Sequence, residues 1–169
     1  MASYDMGKAE VVEYIKSHFL PGSTCLDVGA CDGKWSDLLG DYLVMDAVEV
    51  FHPNIIYHNL KSKYRRVFGV DIANLSYVSY DLIIFGDVIE HMTVDKAQRV
   101  LGYAWNRCRD MIIGVPWLYP QGDIYGNPYE IHLQDDLTEE LFNQRYPGYE
   151  KLFSFGNYAY FHLPDSPRS

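Results

Sequence analysis

The sequence predicts an α/β three-layer sandwich built on a mostly parallel sheet that ends in an antiparallel hairpin. Three observations carry this expectation. Short apolar runs alternate with segments of helical spacing, the order that joins parallel strands by crossover helices. The run YDLIIFGDV, Tyr80 to Val88, is apolar almost without interruption, as expected of a strand covered by helices on both faces. The C-terminal stretch YEKLFSFGNYAYFHL holds two strand-like runs around Gly156 and Asn157, residues suited to a hairpin turn.

Taken in order, Lys8 to Phe19 places Val11, Val12, Ile15, His18 and Phe19 on one helical face, and PGS stops that helix. TCLDV, Thr24 to Val28, reads as a buried strand ending in glycine, and Trp35 to Leu39 returns to helical spacing. LVMDAVEVF, Leu43 to Phe51, contains a second strand, RRVFGVDI, Arg65 to Ile72, a weaker third, and YDLIIFGDV the fourth. Asp95 to Arg107 reads as a helix with Ala97, Val100, Leu101, Ala104 and Trp105 on one side and Thr93 as N-cap. MIIGV, Met111 to Val115, is a fifth strand closed by Pro116. Thr138 to Gln144 reads as a short helix with Thr138 as N-cap and Glu139 and Glu140 in its first turn, where carboxylates suit the helix dipole.

Composition narrows the function classes. At 169 residues the chain is expected to form one domain spanning 1–169, since a chain of that size withdraws roughly 70% of its unfolded surface from water. The three cysteines, Cys25, Cys31 and Cys108, are scattered and without a CxxC pair. Neither a disulfide framework nor a zinc site is expected, and a reduced, cytoplasmic compartment fits. No segment approaches the roughly 18 apolar residues of a membrane span, so a soluble chain with no membrane partner is expected. The net charge is −9 and KSKYRR, Lys61 to Arg66, is the one clearly basic run. DNA binding is therefore excluded from the expectation and RNA is disfavoured, because phosphates need positive charge opposite them. The run itself reads as a solvated loop or helix end.

In an open parallel sheet the ligand crevice lies beyond the carboxyl ends of the strands, so the residues that follow each apolar run are informative. They are Gly29, Ala30, Cys31, Asp32 and Gly33 after the first strand, and Glu49 with Phe51 after the second. Asp71 with Ile72 follows the third, and Gly86, Asp87, Glu90 and His91 the fourth. These are acids and apolar side chains, without lysine or arginine. A pyrophosphate would be repelled by Asp27 and Asp32, and Lys34 breaks the GxGxxG fingerprint that a dinucleotide requires. A cofactor with a positive centre, an ammonium and a ribose with two hydroxyls suits the acids. S-adenosylmethionine has all three.

From about Thr24 to Val115 the chain resembles class I S-adenosylmethionine-dependent methyltransferases, with fainter likeness beyond. In that family a strand ending DxGxGxG holds the methionine part of the cofactor; here the run is Asp27, Gly29, Cys31, Gly33, with Ala30 between and Cys31 at the middle glycine. The resemblance implies that Glu49 takes the ribose, with Val50 and Phe51 beside it. It implies that Asp71 meets the adenine amine, with Ile72 against the ring. FGDVIEHM, Phe85 to Met92, is similar to the DVLEH form of many small-molecule and glycan methyltransferases, and brings Gly86 and Asp87 to the cofactor. A Rossmann-like, seven-stranded sheet is implied with it.

Each residue has a plainer role open to it. Gly29 and Gly33 also suit a tight strand-to-helix turn. Asp27 can accept from loop amides instead of touching the ligand, Glu49 can be a strand-end surface acid, Asp71 a turn residue, and Trp35 a packing residue.

Methyl transfer is an in-line displacement at the sulfonium carbon, and the protein must hold the acceptor atom about 3 Å from the methyl. A hydroxyl acceptor has a proton to lose, and a neutral imidazole, with an ordinary pKa of about 6.5, can take it. His91 lies just past the fourth strand beside Asp87 and Glu90; His132 lies in WLYPQGDIYGNPYEIHLQDD, Trp117 to Asp136. His132, His91 and Asp87 are the candidate catalytic residues. Connections beyond about 12–15 residues are often functional lids, and this one carries Trp117, Tyr119, Tyr125 and Tyr129, which suit an apolar or sugar-stacking pocket. GNPYEIHL is also similar to a segment before the last helix of some sugar-linked methyltransferases. The plainer roles are a backbone carbonyl contact for His91 and pairing with Glu130 or an aspartate for His132. A divalent metal held by Asp87, Glu90, His91 and His132 is compatible with these residues, as in some small-molecule O-methyltransferases. Nothing in the spacing demands one, and the expectation contains no metal.

The expected activity is therefore S-adenosylmethionine-dependent methyl transfer to a hydroxyl of a small-molecule or sugar-containing acceptor, by a monomer or homodimer. The alternative is a non-catalytic S-adenosylmethionine-binding module serving as a regulator or partner subunit.

Overall fold

The computed structural model describes residues 5–76 and 78–163. Helix α1 (Lys8–His18) leads into β1 (Thr24–Val28), α2 (Lys34–Leu39), β2 (Val44–Val48), α3 (His52–Tyr57), α4 (Leu60–Lys63) and β3 (Arg66–Phe68). The chain continues through β4 (Tyr80–Gly86), α5 (Val94–Trp105), β5 (Cys108–Pro116) and α6 (Glu139–Arg145) to the hairpin β6 (Glu150–Phe155) and β7 (Tyr158–Leu163). These strands form one seven-stranded sheet in the order β3-β2-β1-β4-β5-β7-β6. The first five run parallel, whereas β7 lies antiparallel to both β5 and β6. The expected Rossmann-like sandwich with a terminal antiparallel hairpin is what forms.

Side-chain alternation makes the two cores. On β4, Ile83 and Phe85 point to one face and Leu82 and Ile84 to the other, all four fully buried. Each such burial contributes about 1.5–3 kcal/mol, so this strand anchors both layers. One face is closed by α5 and α6 through Ala97, Val100, Leu101, Ala104 and Phe142, the other by α1 and α2 through Val11, Ile15, Trp35 and Leu39. The N-caps expected at Thr93 and Thr138 are present, their hydroxyls accepting from the amides of Lys96 and Leu141.

Two local readings differ. On α1 it is Tyr14, half-buried, that joins the core, while His18 is exposed and stacks on Tyr14 instead. The basic run KSKYRR is not simply solvated. Lys63 donates to the carbonyl of Asp32 and the carboxylate of Asp37, and Tyr64 is buried. Arg65 forks onto Asp46, a carboxylate with no exposure that also accepts from Tyr80. Helices α3 and α4 leave little periodic trace, because α3 buries no side chain and α4 buries only Leu60. Among the described residues no helix is long and apolar enough to cross a membrane, and all three cysteines are free thiols.

Because β1 sits between β2 and β4, the chain winds outward in opposite directions from this point, and a crevice opens beyond the carboxyl ends of these strands.

Candidate functional site

The turn after β1 is shaped by what it must approach. Gly29 has φ +72°, and a Cβ there would stand 2.8 Å from Cγ2 of Val88, so only glycine lets the β1 and β4 loops meet. Its amide and that of Ala30 donate to the carbonyl of Val48. Cys31 adopts φ 46°, the left-handed region, without being glycine. Its amide donates to Oε2 of Glu49 at 2.8 Å, and burial pushes its thiol pKa up to about 12. Gly33 serves packing: a Cβ there would meet Cδ of Lys63 at 2.6 Å.

At the end of β2, Glu49 is 4% exposed yet faces the crevice. Oε1 accepts from the amide of Phe51 and Oε2 from that of Cys31, both at 2.8 Å. The side chain of Asn54 also hydrogen-bonds this carboxylate, which still leaves it acceptor capacity toward the cleft. Burial raises its pKa, and the two backbone donors oppose that rise. After β3, Oδ1 of Asp71 accepts from the amide of Ala73 and Oδ2 pairs with Nζ of Lys96 at 2.6 Å. Lys96 thereby joins the crevice wall. The expectation of a site without lysine fails here, because Lys96 comes from the first turn of α5 and no strand-end reading inspects that position.

Asp27 lies behind the wall. It is 1% exposed, and Oδ2 accepts from the hydroxyl of Tyr64. Oδ1 has no hydrogen-bond partner among the described residues, and burial pushes the carboxyl up to about 7. Trp35 is a packing residue, 3% exposed, under the ammonium of Lys8 and against Gly86.

Beyond β4, Asp87 has φ 55°, and burial together with the charge of Asp87 pushes the Tyr158 phenol well above its ordinary pKa. Glu90 and His91 follow in a 3-10 turn spanning Ile89–His91. Glu90 is 1% exposed, and neither carboxylate oxygen has a hydrogen-bond partner among the described residues. Burial, then the charge of Asp87, holds its pKa well above the ordinary value. Nδ1 of His91 lies 3.3 Å from the carbonyl of Ile131, and Nδ1 of His132 lies 2.6 Å from that of Tyr119. The two rings meet edge to face with centroids 4.6 Å apart. Burial lowers both imidazoles, His91 to about 4, so both are neutral at pH 7.

The long connection after β5 is pinned along its length. Leu133 and Gln134 both donate their amides to the carbonyl of Glu90, His132 to that of Gln121, and Leu118 to that of Leu137. The buried side-chain amide of Gln134 also bonds the carbonyls of Ile89 and Met92. Those bonds carry His132 to His91 across 41 positions of sequence.

A cleft of about 1030 Å³, including its open mouth, results. Of the expected cofactor residues, Gly29, Cys31, Glu49, Val50, Asp71, Ile72, Gly86 and Asp87 line it, as do His91 and His132. Asp27, Ala30, Gly33 and Phe51 do not. Ala30 packs into the core beneath α1, and Phe51 offers its amide to Glu49. Gln121, Asn127 and Glu130 also line it; sequence alone does not mark them as lining residues, because only the pinned loop brings them there. Of the aromatic residues expected to wall the pocket, Tyr119 and Tyr129 do so. Tyr125 is 99% exposed, and Trp117 packs against Phe142 and Phe161.

Strand order, the glycine turn and the strand-end acids together define the fold of class I S-adenosylmethionine-dependent methyltransferases. Solved structures of such enzymes superpose on this chain. A S-adenosylmethionine-dependent methyltransferase from Clostridium acetobutylicum matches with TM-score 0.72 at 12% identity, covering 98% of this chain and 93% of its own. The 1,6-didemethyltoxoflavin-N1-methyltransferase of Burkholderia thailandensis, with its acceptor and S-adenosylhomocysteine bound, matches with TM-score 0.64 at 16% identity, covering 96% and 79%. Magnesium protoporphyrin IX methyltransferase from Synechocystis, with S-adenosylmethionine bound, gives TM-score 0.61 at 16% identity, covering 91% and 76%. No protein-family model matches the sequence, and no curated protein does.

Proposed function

We propose that the chain is an S-adenosylmethionine-dependent methyltransferase acting on a hydroxyl of a small-molecule or sugar-containing acceptor. The observation that carries the reading is Glu49: a buried carboxylate at the cleft wall, fixed by two backbone amides and the side chain of Asn54, and placed where it can accept from a ribose hydroxyl. The close approach at Gly29, where a Cβ would strike Val88, supplies the bare backbone that a tightly held methionine part needs.

The cofactor supplies an electrophilic methyl on a sulfonium leaving group. Glu49 orients the ribose, and Ile72, buried at the wall, offers an apolar face to the adenine. Asp71 accepts from the adenine amine while Lys96 neutralises the remaining charge. At the other side of the cleft, the Nδ1 atoms of His91 and His132 face carbonyl oxygens, which only accept, so each Nδ1 carries the proton and each Nε2 a lone pair. An acceptor hydroxyl can donate to such a nitrogen, with Tyr119 and Tyr129 walling its body.

The test is turnover with S-adenosylmethionine against a panel of phenols, sugars and amines, with the site of methylation read by mass spectrometry. O-methylated products support the reading. Exclusive N-methylation would replace the acceptor class, and S-adenosylhomocysteine binding without transfer to any acceptor would favour the non-catalytic module.

A further inference from the structure

We propose that Glu90, His91 and His132 form a site for one divalent transition-metal ion at the acceptor side of the cleft. One ligand atom from each residue can be chosen so that all three lie within 4.8 Å of one another. An ion of the zinc class holds its nitrogen and oxygen ligands at about 2.0–2.2 Å, which places neighbouring ligand atoms roughly 3–3.5 Å apart. Binding an ion would therefore draw these side chains closer together than they stand here.

Each side chain is prepared for this use. A carbonyl faces Nδ1 of both histidines, from Ile131 and from Tyr119. A carbonyl contact of this kind fixes the tautomer and orientation of a metal-binding imidazole and leaves Nε2 as the ligand. Glu90 is buried with both oxygens lacking a hydrogen-bond partner among the described residues, an expensive arrangement for a carboxylate that a cation would relieve. The backbone also invests in the cluster: the carbonyl of Glu90 receives the amides of both Leu133 and Gln134, which locks the segment carrying His132 against the turn carrying Glu90 and His91.

Two imidazoles and one carboxylate suit zinc, manganese, iron or cobalt in the divalent state better than magnesium or calcium, which favour all-oxygen sites. All three residues line the cleft, so the remaining coordination positions open toward the acceptor. There the ion would bind the acceptor oxygen in place of its direct hydrogen bond to Nε2, and the preferred acceptors would be those with two adjacent oxygens able to chelate it. This preference rests on the methyltransferase reading; the metal site does not.

The test uses metal-free full-length protein titrated with cobalt(II), read by visible absorption and by elemental analysis. One ion per chain is expected, displaced by zinc. Glu90→Gln and His132→Asn, confirmed folded by circular dichroism, are expected to bind at least about tenfold more weakly. Zinc is also expected to protect His91 and His132 of the unmodified chain from diethyl pyrocarbonate, which requires no variant. Absent saturable binding, unchanged affinity in both folded variants, or no protection would each overturn the site. S-adenosylhomocysteine binding is measured on the same samples. Metal bound without it would refute the methyltransferase reading alone, and the converse would refute the metal site alone.

Discussion

The amide of Cys31 donates to Oε2 of Glu49 at 2.8 Å, so the turn after β1 and the end of β2 are fixed to each other by an acid that also faces the cleft. Replacing Glu49 with alanine removes the acceptor for two amides together with the proposed ribose contact. Hydrogen bonds to a charged group contribute about 1.5–3 kcal/mol each, so S-adenosylhomocysteine affinity is expected to fall at least about tenfold. Calorimetric titration of the folded variant reads this directly; an unchanged affinity would remove Glu49 from the cofactor site.

Cys31 occupies a left-handed conformation, φ 46°, that glycine adopts without strain. Cys31→Gly is expected to bind the cofactor product more tightly and to gain about 1 kcal/mol or less in stability, since the freer unfolded chain offsets part of the relief. The thiol, with its pKa pushed up to about 12 by burial, should react with iodoacetamide at pH 8 orders of magnitude more slowly than an ordinary cysteine. Rapid alkylation at Cys31, located by peptide mapping, would contradict this.

Arg65 neutralises Asp46, which has no exposure and also accepts from Tyr80 at 2.8 Å. Arg65→Ala leaves that carboxylate without its cation. Breaking a fully buried pair costs about 3–5 kcal/mol, and because the Arg65 side chain is 43% exposed the expected loss is nearer 2 kcal/mol. Urea unfolding measures it. A loss below about 0.5 kcal/mol would place this pair among ordinary surface ion pairs.

Asp27 gives the fold a pH dependence of its own. Burial raises its folded-state pKa from 3.8 to about 7, so between those values the folded chain keeps a proton that the unfolded chain has lost. Its stabilising contribution is complete below about pH 4 and is lost as pH rises through 7, by up to about 1.4 kcal/mol per pH unit. Asp27→Asn abolishes this component. Unfolding free energies at pH 5 and pH 7.5 should therefore fall further in the original chain than in the variant; parallel behaviour would contradict the shifted pKa.

Periodicity and strand-end chemistry made most of the architecture legible. β1 stands out because its apolar run ends in glycine, β4 because both its faces are covered, and α5 because Thr93 caps an amphipathic stripe. Helices α3 and α4 left no comparable pattern, since between them they bury only Leu60. The strand-end acids Glu49 and Asp71 could be placed on the cleft by position alone. Lys96 could not, because it reaches the cleft from a helix and pairs with Asp71 across 25 positions. Asp27 illustrates the reverse limit: its place in the glycine motif is compatible with ligand contact or support from behind, and only the hydroxyl of Tyr64 separates the two. The meeting of His91 and His132 depends on amides of the loop bonding to the carbonyl of Glu90, a backbone contact with no signature in residue type.

Calorimetric titration of the unmodified protein with S-adenosylhomocysteine tests the central claim most directly. Saturable binding at one site per chain, in the micromolar range typical of substrates and cofactors, is the predicted result. A folded protein that shows no binding at millimolar concentrations would contradict the account.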